Sequence, residues 1–452
     1  MSRKPSSKSD DLSGPLSTAD LDFRDHLATA DRQGNRRWIF ARQPNGRYYR
    51  WRTHVSWLLL GILFVGPFVK INGNPLLLLN IVERRFSILG QIFWPQDMAI
   101  FAVALLLFIM SIMIFTSAFG RLWCGWTCPQ TLLMEMVFRK IEYAIEGDAP
   151  AQRRLRDAPW TGSKVFKKTL KHLTFFALSL LIANTLLSYI IGFEDLIMIV
   201  TDDPRHHLTG LGFMIGFTVM FYLLFARFRE QACTFICPYG RLQSTVLDEN
   251  SLVVAYDYKR GEKRAPMHRD QSWQARTSEG LGDCVNCRAC VAVCPTGIDI
   301  RNGTQMECVH CAACIDACDS IMEKVGRPAG LIRYASLNTI EKGQPFRFTS
   351  RMAVYSVVLC ALAGLLAVLV FTRSPVETTI LRAPGALFQQ TAQGTFENLY
   401  LLKIVNKTSR PMPVELKLES PRGSLRVLGG ELVVPKGQLS QTSILIDLQA
   451  AD

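Results

Sequence analysis

A chain of 452 residues, 49% of them hydrophobic, is too long for one core and too apolar for an ordinary soluble protein. Its net charge of +13 would suit a nucleic-acid partner, but the basic residues stand in blocks flanking apolar stretches, as membrane topology requires. Nucleic acid is therefore excluded as the partner, and two or three modules, some of them in a bilayer, are expected.

Residues 1–53 read as a polar cytoplasmic tail, disordered at first and amphipathic near Trp51. Eleven Lys or Arg precede His54, and no apolar core is long enough for a signal peptide. Arg36-Arg37 is followed by polar and aromatic residues, which rejects a twin-arginine signal. Five apolar spans follow, at about 54–69, 98–118, 173–193, 208–225 and 352–371; the first is interrupted by Pro67. Nine Lys or Arg lie between Arg139 and Lys171, whereas residues 192–207 carry only Arg205. The positive-inside rule then puts the N-terminus and the 119–172 and 229–351 segments in the cytoplasm. An odd number of spans puts the C-terminus outside. Within the first outer connection, Pro75 and the leucines after it, with Arg84 and Arg85, predict an interfacial helix. It is read as a membrane-surface cap rather than the lip of a quinone pocket.

Two segments share one plan, an apolar span, a basic exit and Cys-x3-Cys-Pro. They hold Cys124, Cys128 and Pro129, and Cys233, Cys237 and Pro238. If helical, each thiol pair lies on one face, one turn apart, with the proline breaking the ladder. Four soft thiols at one depth suit Cu(I) or a redox dithiol, against the simpler use of small cysteines in packing. Arg121 and Arg229 are expected to favour thiolates unless they are membrane anchors. Cys360 is alone in an apolar run and reads as packing.

Eight of the thirteen cysteines stand between Cys284 and Cys318. Cys284, Cys287, Cys290 and Cys294-Pro295 give C-x2-C-x2-C-x3-C-P, the bacterial 4Fe-4S spacing. Cys308, Cys311, Cys314 and Cys318 repeat it, with Asp319 in the proline's place. Because the fourth ligand crosses over, Cys284, Cys287, Cys290 and Cys318 are expected to hold one cluster, and Cys308, Cys311, Cys314 and Cys294 the other. Disulfides are disfavoured on the reducing side of a membrane, and zinc takes paired ligands with a long gap between pairs. The 4Fe-4S pair implies single-electron transfer. His310, inside the second loop, is expected to hydrogen-bond near a cluster. His206-His207, beside Asp202 and Asp203, reads as a polar outer loop rather than a metal site. No C-x-x-C-H permits covalent haem, and no dinucleotide fingerprint follows a predicted strand.

Beyond residue 373, strand-like runs at 399–405, 414–418 and 443–448, separated by turn signals, predict a small β-sandwich. Asn406-Lys-Thr matches a glycosylation sequon by chance. The organisation expected is a tail at 1–53, four transmembrane helices at 54–245, a double ferredoxin at 246–350, a fifth helix at 351–372 and a sandwich at 373–452.

The runs RLWCGWTCPQTLLMEMVFRKIE, CTFICPYGRLQSTVLDENSLVVAYDYKRGE and GDCVNCRACVAVCPTGIDIRNGTQMECVHCAACIDACDSIMEKVGRPAGLIRY closely resemble the CcoG family. Its members are also called FixG or RdxA, the cytochrome c oxidase accessory proteins, and the resemblance covers about residues 35–440. It implies a multi-domain protein of the bacterial inner membrane: a bundle of about five helices, a cytoplasmic double 4Fe-4S ferredoxin and a periplasmic immunoglobulin-like domain. It also implies a cupric reductase supplying Cu(I) for assembly of the cbb3-type oxidase. Cys124, Cys128, Cys233 and Cys237 would then be the copper site, beside the eight cluster cysteines. The partners implied are a copper-exporting ATPase, cbb3-type oxidase assembly factors, an unidentified electron donor and, in a homo-oligomer, a second copy. The other readings are a NapH-like quinol dehydrogenase subunit and a non-enzymatic assembly scaffold. The chain ends sooner after its fifth span than the family pattern, so the sandwich is expected to lack a final strand.

Overall fold

The computed structural model describes residues 27–30, 33, 35–71, 73–81, 85–268, 271–385, 388–390, 395–408, 410–420, 423–429 and 432–448. The expected disorder of the first residues falls outside that range. Five long helices organise the chain: α1 (Arg47–Val65), α2 (Met98–Phe119), α3 (Gly162–Ile191), α4 (Leu208–Leu223, prolonged to Phe228 by a π turn) and α5 (Ser350–Phe371). Helices α2 to α5 are long and apolar enough to cross a membrane, and most of each span is exposed to its surroundings, α3 the least. With the modules below, this is the multi-domain membrane fold that was expected.

Helix α1 differs from the expected first span. It begins eight residues' worth of basic and polar chain earlier than the apolar run, on Arg47, and carries Arg50 and Arg52, so only 55–65 is apolar before Pro67 ends it in a 3-10 turn. Among the described residues only four helices therefore meet the length and apolarity of a span. The chain nevertheless forms two compact units. One holds residues up to Leu59, Ser111–Leu178 and Met220–Ser356; the other holds Leu60–Met110, Ser179–Val219 and Val357–Asp452. The chain passes between them five times, each time inside one of α1 to α5.

The first unit carries all twelve motif cysteines. Its ferredoxin part is built on the strand pair Val253–Tyr256 and Ile332–Ala335, antiparallel with Tyr256 opposite Ile332. Val254, Ile298, Ile300, Ile315, Met322 and Leu331 pack around the cysteines to form its core. Arg276 is fully buried and donates to the carbonyls of Ala265, Gly282 and Cys284. The segment before α1, read as a free tail, instead lies along this core. Arg42 N–H donates to the Ala292 carbonyl at 2.7 Å. The Asp316 carboxylate accepts from the backbone N–H groups of Tyr48 at 3.0 Å and Tyr49 at 2.8 Å, capping α1.

The same unit holds a buried ion cluster. Arg229 clamps Glu142 with two bonds of 2.6 and 2.7 Å, and Lys171 adds a third contact at 2.8 Å. Burial alone would raise the Glu142 pKa, but Arg229 and Lys171 outweigh it and hold the carboxyl well below its usual range. A carboxyl depressed in the folded state stabilises fully above its unfolded value of about 4.3, and that gain is lost as pH falls toward the folded value. Glu142→Ala, which strands Arg229, is therefore expected to cost about 3–5 kcal/mol across the neutral range, fading only in stronger acid. Thermal unfolding in detergent at several pH values measures it.

In the second unit, the predicted interfacial helix is absent. Leu77–Asn80, Arg85–Ile88 and Gln91–Phe93 form a three-stranded antiparallel sheet. A short leucine run has no period that separates helix from strand. Here Leu89 and Gly90, both at positive φ (52° and 77°), close the two-residue hairpin turn between the second and third strands, and the leucine run pairs with the second. The C-terminal module has four long antiparallel strands in the order Gly423–Leu428, Leu439–Leu448, Phe396–Asn406 and Val376–Arg382. A second, small layer pairs Met412–Pro413 with Val433–Val434. Leu402, Ile404, Val434 and Ile444 fill the space between the layers. Residues 414–418 keep the predicted alternation, with Val414 and Leu416 packed inward, but join no ladder. Asn406 is buried, its amide donating to the carbonyls of Arg410, Val434 and Pro435, so this sequon folds a turn. Asp97, just before α2, binds Arg373 at 2.6 Å and Lys407 at 2.7 Å, tying the sandwich to the end of the outer sheet.

Candidate functional site

The two ferredoxin loops follow one backbone path. Asn286 and Arg288 (φ 49° and 56°) stand two and four residues after Cys284, and His310 and Ala312 (φ 52° and 61°) stand likewise after Cys308. Left-handed non-glycine residues are uncommon, so the same pair in both loops marks a duplicated cradle. Cys284, Cys287, Cys290 and Cys318 wall one cavity, with Tyr256 and Arg301 beside them. Cys294, Cys308, Cys311 and Cys314 wall a second, which Cys290 also touches. The first cavity takes three sulfurs from its own loop and Cys318 from the other; the second takes three from its own loop and Cys294 from the other, with Cys290 beside them, and four sulfurs in an apolar wall are the donor set of a cubane. Burial pushes the Cys290 and Cys308 thiols up to about 12 and holds Cys314 and Cys318 well above the usual thiol range. These sulfurs lose their protons only as metal arrives.

The paired motifs repeat one another in structure as well. Cys124 lies in the short Leu122–Trp126 helix and Cys233 in the Ala232–Ile236 π turn. Cys128 (ψ 123°) and Cys237 (ψ 111°) are extended, each capping a helix whose first residue is the proline. The expectation of two thiols one turn apart on a continuous helix is thereby corrected. Proline is favoured in the first turn, so it starts the next helix and the chain bends at the second cysteine. The four thiols share one locality: Cys233 feels the charges of Cys128, Cys124 and Cys237. No three His, Cys, Asp or Glu among the described residues close on a single-ion site. The expected thiolate activation is also corrected. Burial raises the Cys124 pKa despite the pull of Arg121, and burial pushes Cys233 up to about 12. Arg229 spends its charge on Glu142.

Close packing joins these motifs to the second cluster cavity. Cys124 shares a buried apolar cluster with Val309, Cys311 and Ala313. The backbone N–H of Arg121 donates to Nδ1 of His310 at 2.9 Å, and burial lowers that imidazole to about 3, so it stays a neutral acceptor. Tyr334 receives a bond from Trp126 at 3.1 Å and donates to the His310 carbonyl at 2.7 Å. Gln243 accepts from Arg121 at 2.7 Å and from the Cys124 thiol at 3.3 Å. A cleft beside Cys233 is lined by Thr131, Met134, Glu230, Pro295 and Val309. Gly125 marks the tightest approach, because a Cβ there would stand 2.4 Å from the Val309 carbonyl and 3.0 Å from Cys311 Cα. Gly125→Ala is expected to push the two apart and slow electron passage while the iron content stays; single-turnover reoxidation checks it.

His310 is the hydrogen-bonding neighbour that was expected. His207 bonds Asp202 at 3.0 Å in an exposed loop, and the described residues bring no third metal ligand to the pair. Gln243, Met134, Trp126 and Tyr334 were not found from sequence. Their residue types are unremarkable, and only the fold puts them beside the cysteines.

Three family models match the chain: a 4Fe-4S binding domain at residues 100–145, a 4Fe-4S dicluster domain at 228–337 and the IG-like fold at the C-terminal of FixG at 366–452. Nitrogen fixation protein FixG of Rhizobium meliloti (strain 1021) is 33% identical over 434 residues, covering 87% of this chain and 82% of that protein. The chain belongs to the FixG family. Protein RdxA and Protein RdxB of Cereibacter sphaeroides are 34% and 32% identical, covering 85% and 84% of the chain and 83% and 82% of those proteins. No solved structure matches. Membership in the FixG family, with its dicluster and 4Fe-4S binding domains, makes this a membrane iron–sulfur protein of electron transfer, an oxidoreductase.

Proposed function

We propose that this FixG-family protein reduces Cu(II) to Cu(I) at Cys124, Cys128, Cys233 and Cys237, for assembly of a cbb3-type oxidase. Cys284, Cys287, Cys290 and Cys318 would hold one 4Fe-4S cluster, and Cys294, Cys308, Cys311 and Cys314 the other. When bound, such clusters supply single electrons, matching a one-electron metal couple. The observation that carries the reading is the burial of Cys124 against Cys311, which leaves no gap for a further carrier between the thiols and the second cavity. Sulfur ligands prefer Cu(I) to Cu(II), so a copper ion held there is drawn toward its reduced state, and the Met134 thioether adds another soft donor at the Cys233 cleft. Each thiol that binds copper releases its proton, so uptake strengthens as pH rises. Cu(I) would pass to a copper-exporting ATPase.

Purified protein, reduced anaerobically and mixed with Cu(II), is expected to be reoxidised with production of Cu(I). Oxidation of a quinol with no copper turnover would favour a quinol dehydrogenase, and neither activity would leave a scaffold. About eight iron and eight sulfide per chain are expected, the content of two cubanes; zinc in their place would end the reading. The membrane is the bacterial inner membrane, with the N-terminus and ferredoxin in the cytoplasm and the sandwich in the periplasm. The nine Lys or Arg from Arg139 to Lys171, against Arg205 alone in residues 192–207, support that sidedness. A reporter active only in the periplasm is expected to work after Asp452 and to fail after Gly343.

A further inference from the structure

The strand Val253–Tyr256 is a wall with a different chamber on each face. Val254 lines the second cluster cavity and Tyr256 the first, as successive inward positions of a period-two strand. Val253 and Ala255 point the other way, into a cavity of about 360 Å³ that none of the motifs above uses. Leu247, Tyr258, Leu337 and Ile340 complete its apolar walls, and Asp248 and Glu249 stand at it with no Lys, Arg or His among the lining residues. That volume lies in the range of pockets built for small organic ligands. Tyr256 lines both chambers, and its hydroxyl stands beside Cys284.

We infer that this cavity is where electrons are delivered, and that its occupant is an uncharged aromatic reductant of the dihydroflavin or hydroquinone type. The apolar walls take a flat ring, and the two carboxylates disfavour a phosphate-bearing or otherwise anionic donor. A dihydro ring gives up two electrons and two protons on oxidation. The electrons cross a wall one strand thick, one to each iron–sulfur centre, and the protons leave past Asp248 and Glu249 to solvent. The inference rests on the iron–sulfur part of the reading above and is independent of copper.

The test uses the full-length protein in detergent, with clusters loaded and copper absent. Oxidised riboflavin fluorescence reports binding, and bleaching of the cluster absorbance reports electron transfer from dihydroriboflavin and from menadiol, a tail-less hydroquinone. Saturable reduction by either is expected, and whichever saturates at lower concentration names the source of the ring. Reduced flavin mononucleotide is expected to bind at least about tenfold more weakly, since its phosphate meets two carboxylates at short range. Ala255→Trp should fill the cavity and abolish saturation. Because a tryptophan could disturb the strand, the exposed Glu249→Lys supplies a second arm, in which the preference should shift toward the mononucleotide. Dithionite must still bleach both variants; failure there would overturn the iron–sulfur reading instead. Rates linear in concentration for both reductants, or saturation unchanged in Ala255→Trp, would overturn this inference.

Discussion

Replacing Cys124 and Cys128 together by serine is expected to reduce Cu(II) turnover to the background of buffer alone, with both iron–sulfur signals intact. A hydroxyl nearly matches a thiol in size, so the Leu122–Trp126 helix and the proline-started helix after Cys128 keep their packing. What is lost is the soft donor, and oxygen is a far poorer ligand for Cu(I) than sulfur. Cys124→Ser retains an acceptor in Gln243, so its small polar group is not stranded. The measurement pairs Cu(I) production with electron paramagnetic resonance of the reduced protein. Full activity in the double variant would make these thiols packing residues, and copper would have to meet the electrons at the ferredoxin surface.

Cys284→Ser is expected to act upstream and with a different signature. It removes one sulfur from the first cavity and leaves the second cavity's four in place. Iron should fall from about eight to about four per chain, the loss of one cubane. The damage should also reach stability, because Cys284 lies in the core beside Tyr256 and Leu331, and its carbonyl accepts from the buried Arg276 at 2.9 Å. Reduction of copper should fail while copper binding at the membrane-side thiols survives. A variant that keeps its full iron content would show that the Cys284 sulfur is not a cluster ligand.

These two variants separate because the sequence is legible where ligands are local and opaque where they are not. Cysteine spacing sets a cluster loop within a dozen residues, so both cavities were readable, crossover included. Span-length helices were readable from runs of apolar residues. The four leucines after Pro75 were not, because a short run carries no period and pairing with Arg85–Ile88 decided it. The thiol pairs were visible as motifs, but their backbone was misread, since a proline at a helix start and one that breaks a helix look the same in a string of letters. Gln243, His310 and Tyr334 join the motifs across 119, 189 and 208 residues of sequence, a separation no local pattern encodes.

The Asp316 cap on α1 has a consequence for biogenesis. The Tyr48 N–H donates to a carboxylate 268 residues further along the chain. At about 5–20 residues per second, a ribosome needs roughly 13–54 s to reach it. For that interval the first helix is synthesised without the group that completes its start, and its exposed apolar residues, among them Trp57, Leu58 and Ile62, must be shielded by lipid or a chaperone. Asp316 sits between Cys314 and Cys318, in the second cluster loop. Among the described helices, the first to leave the ribosome is therefore completed only when most of the first unit has been made.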